Sequence, residues 1–124
     1  MGERPSVEEA KGWIGSRLDE IEGVTVGKVK GVYVDEQSGE AEWLLARMGR
    51  LGHHSLVPAY DAVGGAGHVW VPYPRGMLRG GPRVEPGQTL DLDREVELSA
   101  HYEVGRAKRL AGRSPATITA RPAS

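Results

Sequence analysis

The chain has no cysteine and no phenylalanine in its 124 residues. Without thiols there is no disulfide, no thiolate nucleophile and no Cys-based zinc site, and a reducing, cytoplasmic compartment is the expectation. Without Phe, and with only three Trp and four Tyr, Val and Leu have to fill most of any core. Long hydrophobic runs are missing as well. No window approaches the roughly 18 apolar residues of a membrane-spanning helix, and the opening Met1-Gly2-Glu3-Arg4-Pro5-Ser6 lacks the apolar stretch of a signal peptide. A single sign of charge is also lacking, since the formal net charge is −1. That near-balance argues against a dedicated nucleic-acid domain, which carries a strong basic excess.

What is present points to short strands. The 18 Gly and 8 Pro are spread between short apolar runs, a pattern of many turns and few long helices. The balanced total also hides segregation: residues 1–42 carry net −5, 43–83 net +4, 84–104 net −5 and 105–124 net +5. Blocks of opposite sign can pair within one fold or between two copies, although solvated faces explain them too.

Ser6 followed by Glu9 is a capping-box spacing and predicts a helical turn over 6–11. A strand is then expected from Trp13 to Leu18. In 24–34, Val24, Val26, Lys28, Lys30, Val32 and Val34 share one side of an extended chain, whereas Thr25, Gly27, Val29, Gly31 and Tyr33 share the other. Neither side is apolar throughout, so the pattern predicts a strand bent at Gly27 or Gly31, each end entering the core with its own phase. The turn residues 35–40 and the run Glu42 to Arg47 complete a hairpin. Further strands are expected at 54–58 and 68–72. Such spacing without intervening helices suggests a mainly β chain folded as a small antiparallel β-barrel, in which closure removes exposed edges. Residues 73–90 read as a Pro/Gly-rich traverse. Asp91 then caps a helix over about 91–102, with Leu92/Val96 and Leu98/Tyr102 as its apolar pairs. Residues 1–104 form the expected domain, and 105–124 a flexible basic tail.

The run "WIGSRLDEIEGVTVGKVKGVYVDEQSGEAEWLLAR", followed by "HSLVPAYDAV" and "HVWVPY", resembles the PRC-barrel family, named for the photosynthetic reaction-centre H subunit. The resemblance rests on Gly15, the Val26-Gly27-Lys28-Val29 step, Val32-Tyr33-Val34-Asp35, Gly39 and Val57-Pro58. The segment "GGPRVEPGQTLDLDREVELSAHY" is similar to the helical extension of a bacterial stress-associated branch. The resemblance implies an adaptor or assembly module without a catalytic set, on a barrel also found in a ribosome-maturation factor.

Enzymatic signals are weak. His53, His54 and His68 would suffice in number for a zinc site, but their spacing is no metal motif, and adjacent residues of an extended chain point apart. Gly64-Gly65-Ala66-Gly67 lacks the phosphate-binding spacing and precedes a strand. Ser55 has no nucleophile-elbow context. The expectation is therefore a non-enzymatic protein without cofactor or metal. It binds a protein partner and pairs as a homodimer, with contacts at Trp70, Tyr73, Arg75, Leu98 and Tyr102; Trp43 is assigned to the core. The alternative is a ribosome- or RNA-associated accessory protein using Arg47, Arg50, Arg75, Arg79, Arg83 and the basic tail.

Overall fold

The computed structural model describes residues 3–50, 52–104, 113–114 and 117–123. Helix α1 (Val7–Lys11) starts where the capping box places it: the Ser6 hydroxyl accepts a 3.0 Å hydrogen bond from the Glu9 amide. The strand expected from Trp13 begins only at Arg17. Trp13 to Gly15 instead form a turn, with Gly15 at φ 95°, because the amides just after α1 bond back to its last carbonyls. Strand β1 is thus Arg17–Asp19.

Strand β2 (Thr25–Asp35) is the spine of the fold. Strand β3 (Ala41–Met48) pairs with it antiparallel along almost its whole length. On its other side, β2 is shared: its first half pairs with β1, and residues 33–35 pair with a strand from the end of the chain. The expected change of phase is present. Val29 lies opposite Ala46 and Gly31 opposite Leu45, which leaves Lys30 as an extra, unpaired residue. Consequently Val26, Val29 and Val32 are buried at intervals of three, while Lys28 and Lys30 stay exposed.

Strand β4 (His54–Pro58) follows β3 antiparallel, and β5 (Val63–Gly65) forms a hairpin with β6 (His68–Trp70). Strand β6 then lies parallel to β1. The all-antiparallel expectation is corrected by this pair: the chain crosses from one side of the sheet to the other before β6 settles, and it arrives in the direction of β1. The path runs β4-β3-β2-β1-β6-β5. It is an open mixed sheet among the described residues, and closure into a barrel is not among its pairings.

The traverse at 73–90 contains more structure than its composition suggests. Helix α2 (Arg75–Arg79) starts after Pro74 and buries Leu78, and β7 (Leu90–Asp91) precedes α3 (Leu92–His101). Asp91 caps α3 as expected, accepting from the Arg94 amide at 2.9 Å. Of the two expected apolar pairs, α3 buries Leu98 and Tyr102, together with Glu95 and Ser99, whereas Val96 of the other pair is 39% exposed. The expected flexible tail is also corrected at its far end: β8 (Ile118–Pro122) pairs with β2 and β7 and buries Thr119 and Ala120. Residues 105–112, where that expectation began, lie outside the described residues. No described helix is long and apolar enough to cross a membrane. The core is mainly aliphatic, with Leu18, Leu44, Leu56, Leu78, Leu90, Val29 and Val57 packed around Trp43 and Tyr33.

Candidate functional site

At the β5 end of the sheet, the turn between β1 and β2 is pinned by its own polar groups. The Glu20 side chain accepts from the Val24 amide at 2.8 Å, and the Glu20 amide donates to the Val24 carbonyl at 2.9 Å. Gly23, at φ 89°, allows the chain to reverse. Two further bonds tie this turn to the segment leaving β6: the Trp70 indole N–H donates to the Ile21 carbonyl at 3.0 Å, and the Ile21 amide donates to the Tyr73 carbonyl at 3.0 Å. With its backbone satisfied in this way, the turn presents Ile21 and Val24 outward. Val63 stands directly opposite Trp70 on edge strand β5 and is 62% exposed. Cross-strand neighbours share a face, so Val63 and Trp70 form an apolar strip at this edge, and the Trp70 indole holds the turn that carries the exposed Ile21 and Val24.

The five expected contact residues divide into two groups. Trp70 and Tyr73 are half-buried, and Arg75 is exposed at the start of α2. Leu98 and Tyr102 are core residues, 0% and 3% exposed, so neither offers its side chain to a partner. Tyr73 links the groups: its ring meets Tyr102 edge-on at 5.0 Å, and Tyr102 in turn meets His101 at 4.8 Å and Trp43 at 6.5 Å. Burial pushes the Tyr102 phenol above its usual range, and the Tyr73 ring adds to the effect. Tyr73 is raised by burial and then by Asp61. These phenols therefore stay neutral through the physiological range, as packing groups. Beneath them, the Trp43 indole donates to the wholly buried Glu95 carboxylate at 2.9 Å.

Ile21, Val24 and Val63 were not among the expected contacts. The signal was present, since Ile21 and Val24 flank Gly23 in a stretch too short to bury both.

The candidate metal and catalytic residues go elsewhere. His68 bonds through Nδ1 to Asp19 at 2.9 Å, and Asp19 also accepts from the Thr25 hydroxyl at 2.6 Å. His53 and His54 lie at β4, with β3, β2 and β1 between that strand and β6. Burial, then the positive charges of Arg83 and His54, hold the His53 pKa below its usual value. Among the described residues no three His, Asp or Glu side chains are grouped to hold a metal ion. The Ser55 hydroxyl donates to the Pro82 carbonyl at 3.0 Å. Two carboxylates of this region are engaged structurally: Asp91 caps α3, and Glu97 pairs with Arg94 at 3.0 Å. The chain matches no protein-family model and no curated protein.

Proposed function

We propose that the chain is a non-enzymatic, cytoplasmic adaptor of the PRC-barrel type that pairs with a second copy of itself and, as a pair, binds a protein partner. The observation that carries this reading is the strip of Val63 and Trp70 at the β5 edge, together with the exposed Ile21 and Val24 on the turn that Trp70 holds. An edge strand bearing exposed aliphatic side chains is a template for pairing, and monomeric proteins blunt such edges with charge or cover them. Strand β5 carries no charged residue, and among the described residues its outer side has no strand partner. A two-fold axis at this edge sets the same patch against itself, as an isologous interface requires. The central Trp is the type of residue that dominates interface energetics.

The family likeness fits the position of Gly27, where β2 and β3 approach too closely for a side chain. Barrel closure belongs to this proposal, as does the cytoplasmic location, which suits a chain without cysteine. Sedimentation velocity at micromolar concentration should give a dimer, and Val63→Lys should shift it to monomer by placing a charge in the strip. A monomer at every concentration would overturn self-association.

A further inference from the structure

The second concentration of unused chemistry lies on the sheet face crossed by β1, β2 and β3. Arg17 is directly opposite Lys28, and Lys28 is directly opposite Arg47. The same register continues to His54 on β4 beside Arg47, and to His68, which is engaged by Asp19, on β6 beside Arg17. Five neighbouring strands thus place five basic residues in one row. Like charges directly opposite on adjacent strands repel, and a fold with no use for such a row has no reason to keep three permanent cations abreast.

Helix α2 turns this row into a concavity. Arg79 joins Arg17, Lys28 and Arg47 around a groove of about 300 Å³ whose lining holds no carboxylate. Among the described residues none of these four cations makes an ion pair. The Nε of Arg47 is buried without a hydrogen-bond partner among the described residues, so one N–H of its guanidinium lacks a protein acceptor. Gly27 and Gly49 contribute bare backbone to the lining. At Gly27 the absence of a side chain is enforced, because a Cβ would stand 2.2 Å from the Arg47 carbonyl oxygen.

We propose that this groove binds a compact anion carrying two or more phosphoryl groups. Three guanidinium forks and one ammonium around a single concavity match clustered phosphoryl oxygens in both charge and bidentate geometry. Neighbouring strands lie about 4.8 Å apart, so the three abreast cations span roughly 10 Å, the scale of a short phosphoanhydride and not of a polymer. A single-stranded nucleic acid is disfavoured, because such sites add aromatic platforms for base stacking and this lining has no aromatic residue. The site is built within one copy of the chain and does not depend on self-association.

Isothermal titration of the full chain with pyrophosphate at low salt should show saturable binding that weakens as salt is raised. Arg17→Gln combined with Lys28→Gln changes only exposed side chains and should weaken it by at least about tenfold, the loss of one to two charge-assisted contacts, with an unaltered far-UV circular dichroism spectrum. Val63→Lys should leave it unchanged. A nucleoside diphosphate titrated in parallel reports whether the groove takes the anhydride alone or a nucleotide, and tighter binding of either than of inorganic phosphate supports the proposal. It is overturned if pyrophosphate and the diphosphate give no binding, or if binding survives in the double variant. It is equally overturned if citrate or an RNA oligomer binds more tightly than both.

Discussion

Glu95 brings a carboxylate into the core, where it accepts the Trp43 indole N–H at 2.9 Å and has no exposed surface. Removing one partner of a buried hydrogen bond leaves the other desolvated without compensation, whereas removing both restores much of the loss. Trp43→Phe should therefore cost about 2–4 kcal/mol, combining the loss of this buried, charge-assisted bond with a partial cavity. Adding Glu95→Leu should recover part of that cost. Urea denaturation of the two single variants and the double variant measures the coupling, and additivity within about 0.5 kcal/mol would show that the bond matters little. The sequence assigned Trp43 to the core and a helix to about 91–102, which includes Glu95, and both positions hold. What it could not reveal is that Glu95 faces inward. In α3 the candidate pairs Leu92/Val96 and Leu98/Tyr102 point in different directions, and only the sheet selects between them. It selects the face that brings Glu95 to an indole donor and Tyr102 to the rings of Tyr73 and Trp43.

Among the elements, β2 shows how local pattern becomes geometry. Its valines and lysines obey neither a clean alternation nor a helical period, and from this mismatch the sequence predicts a bend at Gly27 or Gly31. Both glycines prove to have a role, but different ones. Gly31 adjoins the extra residue Lys30 that shifts the register, whereas Gly27 lies where the backbones of β2 and β3 nearly touch. Gly27→Ala should therefore destabilise the fold by more than about 2 kcal/mol, since the clash is with backbone that cannot move aside alone. At Gly31 a Cβ would meet only the Leu45 side chain, at 3.6 Å, and Gly31→Ala should cost less than about 1 kcal/mol. Thermal denaturation of the pair checks this, and equal losses would remove the distinction. Helix α2 was not legible by the same reasoning. Five residues between Pro74 and Gly80 are too short for a periodic signal, and the helix forms because Leu78 has a place in the core.

Over the whole molecule, the least legible feature is the return of the chain's end. Thr117-Ile118-Thr119 favours extended backbone, but it sits in a basic, Pro-containing context with no alternation, and Tyr33 to Asp35, the partners of Ala120 to Pro122, are more than eighty residues away. Pairing over that separation leaves no local signature; it follows from an edge of β2 that β1 is too short to cover. Strand β8 covers it. Around it the Glu36 amide donates to the Thr119 carbonyl at 2.9 Å, the Ala123 amide to the Val32 carbonyl at 2.8 Å and the Leu92 amide to the Thr117 carbonyl at 3.0 Å. Arg121 pairs with Glu36 at 2.9 Å, and Ala120 lies opposite the buried Leu90. One strand thus joins the spine of the sheet to the start of α3. Ordering these residues costs conformational entropy, so the net gain is smaller than the number of bonds suggests. Even so, deleting residues 117–124 leaves Tyr33 to Asp35 without a partner on one side of β2 and uncovers Leu90. A flexible tail could be removed without loss. For a β8 that clasps sheet and helix, the deletion should instead cost about 2–4 kcal/mol and lower the melting temperature by roughly 10–20 °C. Calorimetry of the shortened chain beside the full one decides between them, and an unchanged melting temperature would return residues 117–124 to the status of a tail.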